Sequence, residues 1–261
     1  MTPPAALLAC AALVEKADPD RFAATMAASP DARAALWPLY AVNIEIARAA
    51  YASEEPLVAE MRLQWWIDEI GRAAAGGAGR GDTSAALAPV LRDRPAIPAL
   101  LCTLADARRW DCWHDPFASA TAFDRYLDDT AGGLAWAAAL ALGAPDRAER
   151  AVRDFAWGVG LANWFDAVPA LKGRGRAPLP DDGPVALRAL AREGLARIAR
   201  SRTARATVPA PVRPALWPGW SARTRLKAVL ADPSRVVAGH LPDPRATRAP
   251  ALLLRSLTGY W

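Results

Sequence analysis

Residues 36–70 read LWPLYAVNIEIARAAYASEEPLVAEMRLQWWIDEI, and the periodicity of this stretch decides the fold. Leu36, Leu39, Tyr40 and Asn43 share a face, as do Leu36, Tyr40 and Ile44, at the i, i+3, i+4 spacing of a helix. The Ser53-Glu54-Glu55-Pro56 cluster then breaks the period. Proline has no amide proton for a helix interior but suits a first turn, so Pro56 is expected to open the next helix. There Leu63, Trp66, Ile67 and Ile70 make a second apolar stripe, and Glu60, Gln64 and Asp68 line another face. The stretch is thus a pair of helices joined by a short acidic linker. Asp31 is a suitable N-cap for the first, with Pro38 in its first turn if the helix begins there instead.

The same period runs outward in both directions. A helix is expected at 20–29, and others near 84–92, 96–111 and 119–142, then at 146–168 with Pro169 ending it. Residues 73–82, AAAGGAGRGD, lack the Lys-Ser/Thr of a phosphate-binding loop and read as a connector. Gly132 and Gly133 would each cost about 1 kcal/mol in a helix interior, which suggests a kink or a close helix–helix approach. An arginine-laden helix follows at 187–205, then a Pro-rich turn region and two shorter helices over 206–261. No strand alternation, internal repeat or long linker appears, so residues 1–261 are expected to form one all-α domain.

Composition fits that reading and excludes several functions. A 53% hydrophobic and 23% charged chain is a folded globular one, and its alanine excess favours helix. No run reaches the roughly 18–20 apolar residues of a membrane span. The N-terminal apolar stretch has no basic region before it, so a secretory signal is not expected. Cys10, Cys102 and Cys112 are odd in number and lack ligand spacing, which points to reduced thiols in the cytoplasm. His114 and His240 stand in no zinc pattern, and no Gly-x-Ser-x-Gly nucleophile motif is present.

The net charge of +5 comes mainly from arginine. Arg188, Arg192, Arg197, Arg200, Arg202 and Arg205 form a band in which Glu193 is the one acid, with Trp217, Trp220, Tyr260 and Trp261 downstream. That combination suits an anionic membrane surface, arginines to headgroups and rings to the interface. No nucleic-acid recognition motif accompanies the charge, so nucleic acid is not an expected partner. Most of the other tryptophans fall where large residues fill a core.

Five pieces in order carry a family resemblance. They are Leu39-Tyr40-Ala41, Arg62-Leu63-Gln64-Trp65-Trp66, Tyr126 with Thr130-Ala131-Gly132-Gly133, Gly158-x-Gly160-x-x-Asn163, and Arg174-Gly175-Arg176-x-x-Leu179-Pro180. Together they resemble the squalene/phytoene synthase family, most clearly over residues 21–180. The resemblance implies an all-helical isoprenoid-synthase-like bundle around a central cavity. Synthases of this family join prenyl diphosphates head to head. Mg2+ held by aspartates on two helices neutralises the leaving diphosphate, since this ion demands oxygen ligands.

The motif frames place those aspartates at positions 47, 48 and 51 and at 167 and 171, where this chain has Ala47, Arg48, Tyr51, Ala167 and Leu171. The pattern is closest to the family branch lacking the aspartate motifs, which includes a mitochondrial assembly factor for respiratory complex I. The resemblance therefore implies a catalytically silent bacterial relative, without a cofactor, peripheral on the inner face of the plasma membrane. It would bind an isoprenoid or lipid and aid a respiratory complex. Tyr40, Asn43, Glu45, Arg62, Gln64, Tyr126, Asn163, Asp166, Arg174 and Arg176 are the candidate ligand-binding residues. The rival is a head-to-head prenyl transferase with a rearranged Mg2+ site drawn from Glu45, Asp124, Asp128 or Asp166. Asp124 and Asp128, at i, i+4, are the metal candidates with suitable spacing, and ion-paired surface acids are the simpler reading of them.

Overall fold

A computed structural model describes residues 4–92 and 94–261, with the side chains of 244 and 245 outside the description. Among the described residues the regular structure is helical, and buried side chains from every α-helix join one hydrophobic core.

The chain starts with α1 (Ala5–Ala17), where sequence reading saw only an apolar stretch before a helix at 20–29. Cys10, Ala11 and Val14 are buried on α1, which packs against the third and fifth helices, so tertiary burial completes a short helix. The next, α2, runs Pro19–Met26, and the Asp18 side chain accepts from Arg21 N at 2.9 Å to cap it. Helix α3 spans Pro30–Ala49 and is capped by Ser29, not Asp31: Ser29 Oγ lies 3.4 Å from Ala32 N. Pro38 sits inside α3 rather than at its start. It is buried with Leu36, Trp37, Leu39 and Tyr40 on either side, and their burial offsets the roughly 3 kcal/mol an interior proline costs. Pro56 does open α4 (Pro56–Ala74).

Helices α5 (Asp82–Arg92) and α6 (Ala96–Ala107) lead into a 3-10 turn, Arg108–Cys112. Then come α7 (Ala120–Leu127), a π-helical turn at Asp128–Gly132, and α8 (Gly133–Ala141). The expected kink at the paired glycines is thus a π turn. Helix α9, Glu149–Gly173, runs four residues past Pro169, where the helix was expected to stop. Val168 and Leu171 are buried on either side of that proline, so packing again overrides it.

The remaining elements are α10 (Pro184–Thr203), a 3-10 segment at Ala210–Gly219, α11 (Ala222–Ala231), α12 (Ser234–Ala238) and α13 (Arg248–Thr258). Trp217, Trp220 and Trp261, expected at a membrane interface, are 5%, 7% and 1% exposed and belong to the core. Two arginines of the α10 band also find partners on other helices, which linear sequence conceals. Arg197 pairs with Asp124, and Arg200 with Asp154.

Helix α9 is the axis against which α8, α10, α11, α12 and the Ala210–Gly219 segment pack. Two of its glycines permit close approach. A Cβ on Gly160 would lie 2.6 Å from the Ala131 Cβ of the π turn. One on Gly158 would lie 2.7 Å from Ile198 Cγ1 and 2.9 Å from the Gly194 carbonyl oxygen of α10. A backbone oxygen cannot rotate away, so Gly158→Ala is expected to lower stability by about 1–3 kcal/mol. The urea midpoint measures it, and an unchanged midpoint would mean that the α9–α10 seam is looser than this geometry.

Candidate functional site

Two of the motif residues, Tyr126 and Arg176, come together at the Arg108–Cys112 turn. Asp111, with a fully buried carboxylate, is the centre. Its carboxylate accepts from Arg108 Nη1 at 2.9 Å and from the Tyr126 hydroxyl at 2.9 Å. Arg108 Nη1 also stands 2.8 Å from the Tyr126 oxygen, closing a triangle. Burial, with the Asp111 charge adding, pushes the Tyr126 phenol well above its ordinary pKa.

Arg176 completes this network from the loop after α9. Its guanidinium donates to the backbone carbonyls of Asp111 and Trp110 at 2.8 Å each, and to that of Trp113 at 2.5 Å. It also stacks 4.4 Å from the Trp110 ring centroid. The residue is 6% exposed. Arg176 and Tyr126, both expected to meet a ligand, are instead committed to protein atoms, and Arg176 has one N–H, at Nε, left without a partner. Around them Trp110, Phe117, Phe123, Tyr126 and Trp164 form an aromatic cluster, with Trp110 and Phe117 stacked at 3.8 Å. Arg108 and Asp111 escaped the sequence reading. The one signal was an acid inside the aromatic run Trp110-Asp111-Cys112-Trp113, which hints at a buried carboxylate.

Arg174 remains exposed and lies 5.3 Å over the Tyr51 ring. Desolvation, reinforced by Asp111, pushes the Tyr51 pKa up to about 12 although 41% of the residue is exposed. Arg48 pairs with Glu45 at 3.7 Å. With exposed Arg62, and with Trp65 and Trp66, these two line a groove of about 440 Å3 between α3 and α4. Gln64 donates to Asp68 at 2.9 Å and accepts from Arg109 at 2.6 Å, so its row is a solvent-facing polar network. Asn43 is half-buried on α3.

Tyr40 and Asn163 instead border an apolar cavity of about 50 Å3, together with Arg21, Leu134, Phe155 and Val159. The Ala210–Gly219 segment walls one side of it, Gly219 lying so close that a Cβ would meet Val159 Cγ2 at 2.3 Å. Asn163 is exposed on its other side, where its side-chain oxygen accepts from Arg225 at 3.2 Å. This cavity is small. Small-molecule pockets run to about 300–1,000 Å3. One or two waters are what 50 Å3 admits, and a prenyl chain needs the wall to move.

The squalene/phytoene synthase family model matches residues 14–183. The chain belongs to this family. A relative from Drosophila melanogaster, the "NADH dehydrogenase (ubiquinone) complex I, assembly factor 6 homolog", is 29% identical over 178 residues, covering 65% of this chain. The chain spans 52% of that relative's length. The crystal structure of a dehydrosqualene synthase in complex with ligand superposes with a TM-score of 0.77 at 13% identity, covering 98% of this chain and 97% of that one. That likeness establishes the helical isoprenoid-synthase fold across the whole chain.

Within this family frame the residues present do not fit Mg2+. Ala47 and Ala167 are half-buried, Leu171 is buried, and Arg48 is a cation. The four alternative carboxylates each face a different arginine. Glu45 has Arg48, Asp124 has Arg197 at 2.8 Å, Asp128 has Arg153 at 3.1 Å, and Asp166 has Arg225 at 4.0 Å. They lie on α3, α7, the π turn and α9, and the described residues contain no group of three His, Cys, Asp or Glu that could hold a metal. Burial lifts the Asp128 pKa against the opposing charge of Arg153. Burial also pushes the Cys10 and Cys112 thiols up to about 11, away from the thiolate form.

Two outcomes follow. Arg176→Ala removes the guanidinium from three backbone carbonyls, one of them in a buried bond, and is expected to cost about 3 kcal/mol, with Arg176→Lys recovering little of it. A thermal melt reads this, and an unchanged melting temperature would return Arg176 to the ligand-binding set. Tyr40 has a buried hydroxyl without a partner, and burial pushes its pKa from 10.0 to about 12. The folded state holds it neutral where the unfolded phenol ionises, so its contribution is intact below pH 10 and fades as pH rises towards about 12. Tyr40→Phe is expected to preserve stability at pH 7, or to raise it by about 1–2 kcal/mol, and to blunt the alkaline loss. Urea midpoints at both ends of that range check it, and a destabilised variant would reveal a partner for the hydroxyl.

Proposed function

We propose that this chain is a catalytically silent member of the squalene/phytoene synthase family that has lost both Mg2+-binding aspartate motifs and aids assembly of a respiratory complex. The observation that carries the reading is the fate of the clamp positions. Two half-buried alanines, a buried leucine, an ion-paired arginine and a tyrosine under Arg174 occupy them. An allylic diphosphate leaves as a multiply charged anion, and without a cation clamp its ionisation has no electrostatic support of the size that catalysis requires. The Drosophila relative's name supplies the respiratory direction.

No helix among the described residues is long and apolar enough to cross a membrane, so membrane contact in this reading is peripheral, on the inner face of the plasma membrane. An isoprenoid or other lipid would be met at the protein surface, because the cavity beside Tyr40, at about 50 Å3, has no room for its chain. The aromatic cluster and the Arg176 network keep the bundle rigid as a docking scaffold.

Purified protein incubated with farnesyl or geranylgeranyl diphosphate and Mg2+ is expected to release no diphosphate above the uncatalysed background. Release that EDTA abolishes would overturn the silent reading. Deleting the gene is expected to lower the amount of assembled complex I on native gels, and unchanged complex I would remove the respiratory part.

A further inference from the structure

Charge is unevenly divided along this chain. Residues 183–261 carry 14 Lys and Arg against 3 Asp and Glu, a formal +11, whereas residues 1–182 carry 18 against 24, a formal −6. The basic third ends in α13, which contains no acid and turns a leucine face outward. Leu253, Leu254 and Leu257 are 60%, 59% and 77% exposed, and Tyr260 beyond the helix is 44% exposed. Leu252, the neighbour of two of them, is buried and holds the helix to the core.

Behind this face lie guanidiniums that no carboxylate neutralises among the described residues. Arg202 and Arg205 stack on the Tyr260 ring at 5.1 and 5.0 Å, and Arg205 also donates to the Thr258 carbonyl at 2.8 Å. Arg255 donates to the carbonyls of Ala251 and Trp220. The Nε groups of Arg202 and Arg255 are buried without a partner. Burial first, and then the nearby Arg223 and Arg255 charges, draw the Arg202 pKa below its ordinary value. Arg223 itself is exposed. Such crowding is relieved by an external anion.

We propose that the α13 face is the surface by which this protein lies on an anionic membrane, with Leu253, Leu254 and Leu257 entering the headgroup boundary and Arg202, Arg205 and Arg223 meeting lipid phosphates. The inference rests on the peripheral placement proposed above and assigns it a surface. A bilayer offers diffuse negative charge directly over hydrocarbon, which matches leucines beside unpaired arginines without needing a shaped pocket. Another exposed apolar stripe, Leu57, Met61 and Trp65 on α4, is bordered by Glu54, Glu55 and Glu60 as well as Arg62, and so lacks the one-sided positive charge of the α13 face.

The test is co-sedimentation of the full chain with vesicles of phosphatidylcholine alone or mixed with phosphatidylglycerol. The expected result is binding to the mixed vesicles that falls as salt rises from about 0.1 M to about 1 M, where screening shortens the reach of charge. Leu253→Ser with Leu257→Ser is expected to weaken partitioning about tenfold or more, and Arg223→Glu about fivefold or more. Leu57→Ser with Met61→Ser is expected to leave it unchanged, and circular dichroism confirms that each variant is folded. Wild-type protein that ignores the anionic vesicles overturns both this proposal and the peripheral reading. Wild-type binding that the α13 and Arg223 variants retain in full overturns the assigned surface alone. Retention on polyglutamate without vesicle binding assigns the face to an acidic protein and overturns the proposal.

Discussion

One guanidinium, that of Arg176, ties the loop after α9 to the turn after α6 through three backbone carbonyls. A buried cation is tolerated only where its donors are met, and here the turn carbonyls and the Trp110 ring surround it. The Asp111 carboxylate holds Arg108 and the Tyr126 hydroxyl, so the ends of α6, α7 and α9 are fixed to one another by a single polar network. The aromatic cluster packs around that network and shuts water out of it. These polar groups are turned inward, and they serve the architecture of the bundle.

The space beside Tyr40 follows from close packing along α9. Glycines at 158 and 160 bring α10 and the π turn into contact distance, and Gly219 lets the Ala210–Gly219 segment press on Val159 and Phe155. What remains is about 50 Å3 of apolar space beneath Tyr40. Different residues specify the frame and the chemistry of this family. Small and apolar residues at helix contacts set the frame, while the chemistry would rest on a handful of carboxylates.

The frame was legible because it is periodic. The Leu36–Ile70 pair, Pro56 at a helix start and the glycines of the 130–133 run each state a local rule that the fold obeys. Pro38 and Pro169 misled for the converse reason, since burial of Leu36, Leu39, Val168 and Leu171 outweighs a local penalty that sequence alone exposes. Side-chain roles were less legible still. Arg197 pairs with Asp124 from 73 residues away, and Arg176 finds its carbonyls some 65 residues upstream. Trp217, Trp220 and Trp261 look interfacial in a basic tail but are buried, and the exposed apolar face lies on α13. A linear pattern reports which residues are available and leaves open which partner each will meet.

The central claim is that the family's bundle persists here without its metal-and-diphosphate clamp. Ligand-induced stabilisation tests it directly, because anything bound by the native state alone raises the melting temperature by mass action. The measurement is thermal unfolding with Mg2+ alone, with an unreactive thio-analogue of farnesyl diphosphate alone, and with both together. The account predicts no added stabilisation from the pair beyond the sum of each alone. A cooperative rise that requires Mg2+ and the analogue together would show a working clamp and contradict it.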